Sequence, residues 1–133
     1  MKNRSLIIKI FIAIIAILIC IFLYFNTGLK GFERKVDDIE LSENINKIAI
    51  KSDIGDSGGN GNYSTYRVVL VVKTEMTMSE LDNELESKNI TFHYHITECK
   101  GKVFESPRRF KLTFDKLDEV NDFSGYYFIE FIK

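Results

Sequence analysis

The sequence predicts a small α+β domain carried on one transmembrane helix, and three observations predict it. Leu6 to Phe25 reads LIIKIFIAIIAILICIFLYF, apolar but for Lys9. Beyond that run, short segments rich in Val, Ile, Phe and Tyr alternate apolar with polar residues or are apolar throughout, which is the pattern of strands. Between the second and third of these, Thr77 to Lys88 carries helical spacing and a start signal. The expected order after the membrane helix is therefore β-β-α-β-β-β, one helix on a mainly antiparallel sheet.

At about 1.5 Å of rise per residue, the twenty residues of the apolar run extend roughly 30 Å as a helix, the thickness of a bilayer's hydrocarbon core. Lys9 sits in its first turn, so the stem can follow the apolar surface while the ammonium reaches the headgroups. Lys2, Arg4 and Lys9 are matched by Lys30, Arg34 and Lys35 on the far flank, so basic residues alone do not fix the orientation. A short tail ahead of a single leading apolar segment has the form of a signal anchor. The expected arrangement is a cytoplasmic N-terminus, one pass through the cell membrane and an extracytoplasmic C-terminal domain. The chain then divides into a tail at 1–5, the membrane helix at 6–25, a juxtamembrane stalk or linker at 26–46 and the outer domain at 47–133.

A cleaved signal peptide opens in the same way. This run is longer than the usual ~7–15 apolar residues, however, and Tyr24-Phe25-Asn26-Thr27-Gly28 offers no pair of small residues for cleavage. Ile17-Leu18-Ile19 ahead of Cys20 lacks the small residue of a lipoprotein site, and Cys20 reads as an apolar side chain of the span.

The 104 residues after Leu29 suffice for one domain with one core. All 19 acidic residues lie beyond the apolar run, against 15 of the 18 basic ones, so this part carries a net charge of about −4, unlike a nucleic-acid binder. Cys99 is the one cysteine there, so no internal disulfide closes and packing must hold the domain.

In chain order, Phe32, Val36 and Ile39 are spaced four and three apart, one face of a helix that either continues the anchor as a stalk or forms part of a linker. Lys47 to Ser52 alternates, with Ile48 and Ile50 on one side and Lys47, Ala49 and Lys51 on the other. Asp53 to Asn62, DIGDSGGNGN, reads as a hairpin loop. A calcium loop starting at Asp56 would need a Glu where Arg67 stands, and a phosphate cradle would lead into a helix. Arg67 to Lys73 is apolar on both faces, as a central strand is. Thr77 and Glu80 form a capping box ahead of Met78, Leu81 and Leu85, and Asn89 suits the left-handed conformation at the helix stop. Strands follow at Ile90–Glu98, Arg108–Phe114 and Gly125–Ile132, with Leu117, Val120 and Phe123 tucking the intervening connection underneath. The last strand is apolar on both faces and needs cover from the helix, a neighbour or another protein.

Two constellations are candidates for chemistry. On a strand, Thr91, His93, His95, Thr97 and Cys99 share one face, and histidines two apart lie roughly 7 Å from Cα to Cα, close enough to chelate one ion. Cys99 stands roughly 13 Å along the strand from His95, so a third ligand must come from elsewhere. The simpler reading is a solvated face of alternating polar side chains. The second constellation is Lys100, Lys102, Arg108, Arg109 and Lys111, which could meet anionic headgroups or an acidic partner at about 1 kcal/mol per charge, or simply line a hairpin's wet face. Glu80, Asp82, Glu84 and Glu86 read as the wet side of the helix. No nucleophile elbow, P-loop, HExxH or paired-Cys motif is present.

The expected function is a non-catalytic binding or accessory module for another protein of the cell envelope, attached to the membrane through Leu6 to Phe25, with no cofactor, nucleic acid or identifiable small-molecule ligand. The alternatives are a metal-binding or metal-dependent domain using His93 and His95, and a secreted effector or inhibitor released by signal cleavage.

Overall fold

The computed structural model describes residues 2–56, 64–106 and 110–133. Helix α1 (Lys2–Asn26) contains the apolar run, and its segment Asn3–Tyr24, 22 residues, is long and apolar enough to cross a membrane, with none of it covered by the rest of the protein. Only Thr27 separates it from α2 (Gly28–Asp37). The extended backbone of Thr27 breaks the helical path, its hydroxyl donates to the Leu23 carbonyl at 2.6 Å, and Gly28 follows with φ of 65°, a conformation that favours glycine.

The domain then runs β1 (Ile45–Asp56), β2 (Ser64–Thr74), α3 (Met78–Glu86), β3 (His93–Glu98), β4 (Val103–Glu105), β5 (Lys111–Thr113), a 3-10 turn at Asp115–Leu117, and β6 (Tyr126–Ile132). Four strands form an antiparallel sheet in the order β1-β2-β6-β3, while β4 and β5 make a separate two-stranded ribbon. The architecture is α+β, as the pattern of elements requires.

The period of two in the central strands decides what covers each face. Val68, Leu70 and Val72 of β2 and Ile129 and Phe131 of β6 point to one side, where they meet Phe32 and Val36 of α2 and Leu81 and Leu85 of α3. Val69, Val71 and Phe128 point to the other, where Phe104, Phe114 and Leu117 close over them. Each such side chain, fully buried, contributes about 1.5–3 kcal/mol. The doubly apolar last strand is thus covered on both faces by its own chain, by helices on one side and by the ribbon with the 3-10 turn on the other.

Helix α3 begins as its sequence requires: the Glu80 amide donates to Thr77 Oγ1 at 3.3 Å, and the Thr77 amide donates to Glu80 Oε2 at 2.7 Å. Asn89 takes the left-handed conformation after it, with φ of 52°. Gly125 admits no other residue without strain. Its φ is 76°, and a Cβ there would lie 2.5 Å from the Thr74 carbonyl oxygen, beside the bond of 2.9 Å from the Thr74 amide to the Gly125 carbonyl.

Three expectations need correction. The segment 26–46 is no stalk: Phe32 and Val36 are 1% and 0% exposed, so α2 is a core element and the folded domain begins at Gly28 rather than at 47. In the core α2 packs beside α3 on the same face of the sheet. The strand expected at Arg108–Phe114 is described only over Lys111–Thr113, and it pairs with β4 instead of joining the main sheet, a partner that the sequence does not announce because each strand of the ribbon shows only three residues. Ile48 and Ile50 do not share a face. A shift of register between Lys47 and Ala49 turns Ile48 to the ribbon side while Ile50 packs on the helix side.

The sheet has one end beside the α1–α2 joint, the anchor end if α1 spans a membrane, and a far end. Tyr66 and Lys133 exchange backbone hydrogen bonds of 2.9 and 3.0 Å at one end, and the Tyr66 hydroxyl lies 3.9 Å from where a Cβ would stand at Gly28, just after the chain leaves α1. Thr74 and Gly125 mark the other end, about 26 Å away at ~3.3 Å per residue along β2.

Candidate functional site

Of the sheet's two outer strands, β3 is the more open. Tyr94 and Ile96 pack inward beside the helix-face core, and Phe92, just before the strand, sets its ring edge-on to Phe32 and Phe131 at 5.0 and 5.9 Å between centroids. His93, His95 and Thr97 alternate with them and are exposed. The Tyr94 hydroxyl donates to Asp82 of α3 at 2.9 Å, and burial, followed by that carboxylate, pushes its pKa up to about 12.

The ladder to β6 fixes which backbone groups of β3 are spent. The Cys99 amide donates to the Tyr126 carbonyl at 2.9 Å, and the register places His93 opposite Ile132, His95 opposite Glu130 and Thr97 opposite Phe128. Antiparallel pairs alternate, so the N–H and C=O groups of His93, His95, Thr97 and Cys99 face β6 while those of Tyr94, Ile96 and Glu98 face outward. Among the described residues no strand lies beyond them.

Grooves run along both sides of this edge. One, of about 430 Å³, lies on the ribbon side between Thr97, Glu98, Val103, Phe104 and Glu105; the other, of about 370 Å³, lies on the helix side between Ser79, Asp82, Tyr94 and His95. Met78 and Ile96 line both, and Met78 and Val103 are unusually exposed for apolar residues. A third depression, of about 740 Å³, opens at the far end of the sheet among Asn44, Asn46, Lys73, Thr77 and Ser124.

The histidines and basic residues singled out in the sequence are placed as follows. His93 and His95 share one exposed face, but among the described residues no group of three or more His, Cys, Asp or Glu side chains is positioned to hold a metal ion. The carboxylate nearest in register, Glu130, is bonded to Arg67. Cys99 is on the same side but buried under the ribbon, its thiol directed at the Gly101 carbonyl at 3.1 Å, and burial raises its pKa.

The described basic residues form no single patch. Lys102 pairs with Asp118 at 2.7 Å, which raises its pKa, Lys111 pairs with Glu105 at 3.4 Å, and Lys100 stands near the far end beside Glu98. Arg108 and Arg109 lie outside the described residues, as does the greater part of the glycine-rich segment 53–62. The acids of α3 are mostly engaged. Glu80 caps the helix, Asp82 accepts from Tyr94, and Glu84 accepts from the Ser42 hydroxyl at 2.6 Å and pairs with Lys88 at 3.2 Å. The Ser42 bond is the main reason the Glu84 carboxyl is held below its usual range.

One polar pair went unread in the sequence. Arg67 of β2 and Glu130 of β6, each about 5% exposed, form an ion pair on the ribbon face, and the Arg67 guanidinium lies 5.4 Å from the Phe110 ring centroid. They are the buried charges among the described residues. Gly55 on the neighbouring strand makes room for them, since a Cβ there would meet Arg67 Nε at 2.6 Å. The signal was Arg67 at the head of the apolar run Val68–Val72 and Glu130 inside the otherwise apolar β6.

No protein-family model, curated protein or solved structure matches this chain.

Proposed function

We propose that this protein is a single-pass membrane protein whose α+β domain stands outside the cytoplasm and binds another protein of the cell envelope without catalysing a reaction. The observation that carries this reading is the division between closed and open surface. Both faces of the sheet are sealed by the chain's own helices and ribbon, so the apolar interior needs no ligand and no partner to complete it. What stays open is an outer strand with a groove on either side, a surface suited to contact. Direct passage from α1 into a core helix across one residue supports a presenting role, because the domain is held close to the bilayer instead of trailing on a tether.

Recovery of the full chain from washed membranes after amine-reactive cross-linking tests this. An intact N-terminus, a domain that protease reaches only from the extracytoplasmic side, and a reproducible cross-linked protein are expected. A mature chain beginning between Asn26 and Lys30, or a chain that is never cross-linked, would overturn it.

A further inference from the structure

We infer that the free edge of β3 takes up an extended segment of the partner protein as an added strand, apolar on its ribbon side and basic on its helix side. This rests on the partner-binding reading above. The outward N–H and C=O groups of Tyr94, Ile96 and Glu98 have the spacing that another strand's backbone satisfies.

The other outer strand is protected against such pairing. β1 carries a bulge at Lys47/Ala49, the Ser52 hydroxyl donates to Glu33 on one face, and Lys51 reaches the Thr113 carbonyl on the other. β3 has no bulge, lysine or proline within it.

The grooves define the occupant's side chains. The ribbon-side groove is lined by Val103, Phe104 and Phe128 together with Glu98, Lys100 and Glu105, whose charges include a cation, whereas the helix-side groove has the Asp82 carboxylate and no Lys or Arg among its lining residues. Alternate side chains of an added strand point to opposite faces, so apolar residues enter the first groove and Lys or Arg the second. The domain's net charge of about −4 favours the same choice.

A second copy of this chain in the same membrane does not fit. β3 starts at the anchor end, where His93 lies opposite Ile132, and runs away from it. Antiparallel pairing of two such strands about a two-fold axis would put the membrane helices at opposite ends of the joined sheet.

The test uses the full chain in its native membrane with the photo-cross-linker benzoylphenylalanine placed at Thr97, at Asn46 by the far-end depression, or at Lys51 on β1, followed by sequencing of the cross-linked peptides. The result expected is a cross-link from Thr97 to one segment with alternating basic and apolar residues. It should fall at least tenfold in Glu98→Pro, which removes an outward N–H without touching the ladder to β6, and in His95→Lys, which adds a charge at an exposed position. Cross-links only from Asn46 or Lys51 would overturn the strand addition and leave the envelope-partner reading standing. A Thr97 cross-link that both variants leave intact, or one to the protein's own chain, would also overturn it. No cross-link from any position would overturn both readings.

Discussion

Replacing Glu130 by Ala tests whether the pair in the sheet's centre is as desolvated as its geometry implies. Arg67 and Glu130 are 6% and 5% exposed at the side chain, flanked by Val69 and Phe128 and covered by the Phe110 ring. Removing one partner leaves the other charge buried without compensation, a loss of about 3–5 kcal/mol. That is a large share of the ~5–15 kcal/mol that stabilises an ordinary domain. Removing both charges while keeping apolar volume, as in Arg67→Met with Glu130→Leu, should instead be neutral or stabilise by about 1–4 kcal/mol. The assay is urea unfolding of the full chain in detergent micelles, followed by tyrosine fluorescence since the chain has no Trp, with Arg67→Met, Glu130→Leu and their combination forming a double-mutant cycle beside Glu130→Ala. A Glu130→Ala cost below about 1 kcal/mol would refute the reasoning, since that is the range of an exposed pair. A double variant less stable than Glu130→Ala would refute it too.

Other consequences are open to direct measurement. A chain beginning at Gly28 should fold without the anchor while one beginning at Lys47 should not, and Phe32→Ala in the full chain should cost about 3–5 kcal/mol in the same unfolding assay. Gly55→Ala should destabilise through Arg67, and the Arg67→Met, Glu130→Leu background should relieve much of that loss, because the contact at 2.6 Å is with a guanidinium held by its partner. With Cys20 replaced by Ser, Cys99 should resist alkylation by iodoacetamide at pH 8 and react readily in urea, since burial raises its pKa and closes access. Tyr94 has a folded pKa raised to about 12 from 10, so it favours the folded state fully below pH 10 and loses that contribution as pH rises from about 10 to 12. Tyr94→Phe should therefore flatten the fall in stability across that window, measured as the urea midpoint against pH.

The features legible in the sequence are those whose cause is local. The long apolar helix α1 follows from length and apolarity, the start of α3 from Thr77 and Glu80, and the central strand from Val68 to Val72, because each is stabilised by neighbours in the chain or by a uniform environment. What escaped depends on distant partners. The spacing of Phe32, Val36 and Ile39 marked one face of a helix, yet nothing near them in sequence says that β2 and β6 lie beneath. β4 and β5 each show three residues, too few for a period to register, and the bulge that separates Ile48 from Ile50 is a property of pairing with β2. At the candidate site the alternation of His93, His95 and Thr97 could be read directly, whereas the free edge and its two grooves come from strand order. Strand order follows β6 inserting between β2 and β3, a long-range choice that no local pattern encodes.

On the proposed reading, strand order and the placement of α1 together bound where a partner can be. Insertion of β6 leaves β3 outermost, and β3 begins beside the same end of the sheet at which Gly28 follows α1. Its six residues extend about 20 Å at ~3.3 Å each, so no part of the edge is farther than that from the level of its start. Because α2 is packed into the core, the joint at Thr27 can tilt the domain but cannot lift it on a long tether. On the proposed reading, a segment that pairs with β3 must therefore reach within a few tens of ångströms of the bilayer. That requirement is met by the juxtamembrane part of another membrane protein or by a chain that passes along the membrane surface. Lengthening the joint with a flexible insert after Thr27 would relax it, and cross-linking from Thr97 should then fall as the edge samples a larger volume. If a ten-residue Gly/Ser insert left the cross-link unchanged, the tight joint would have no part in presenting the edge.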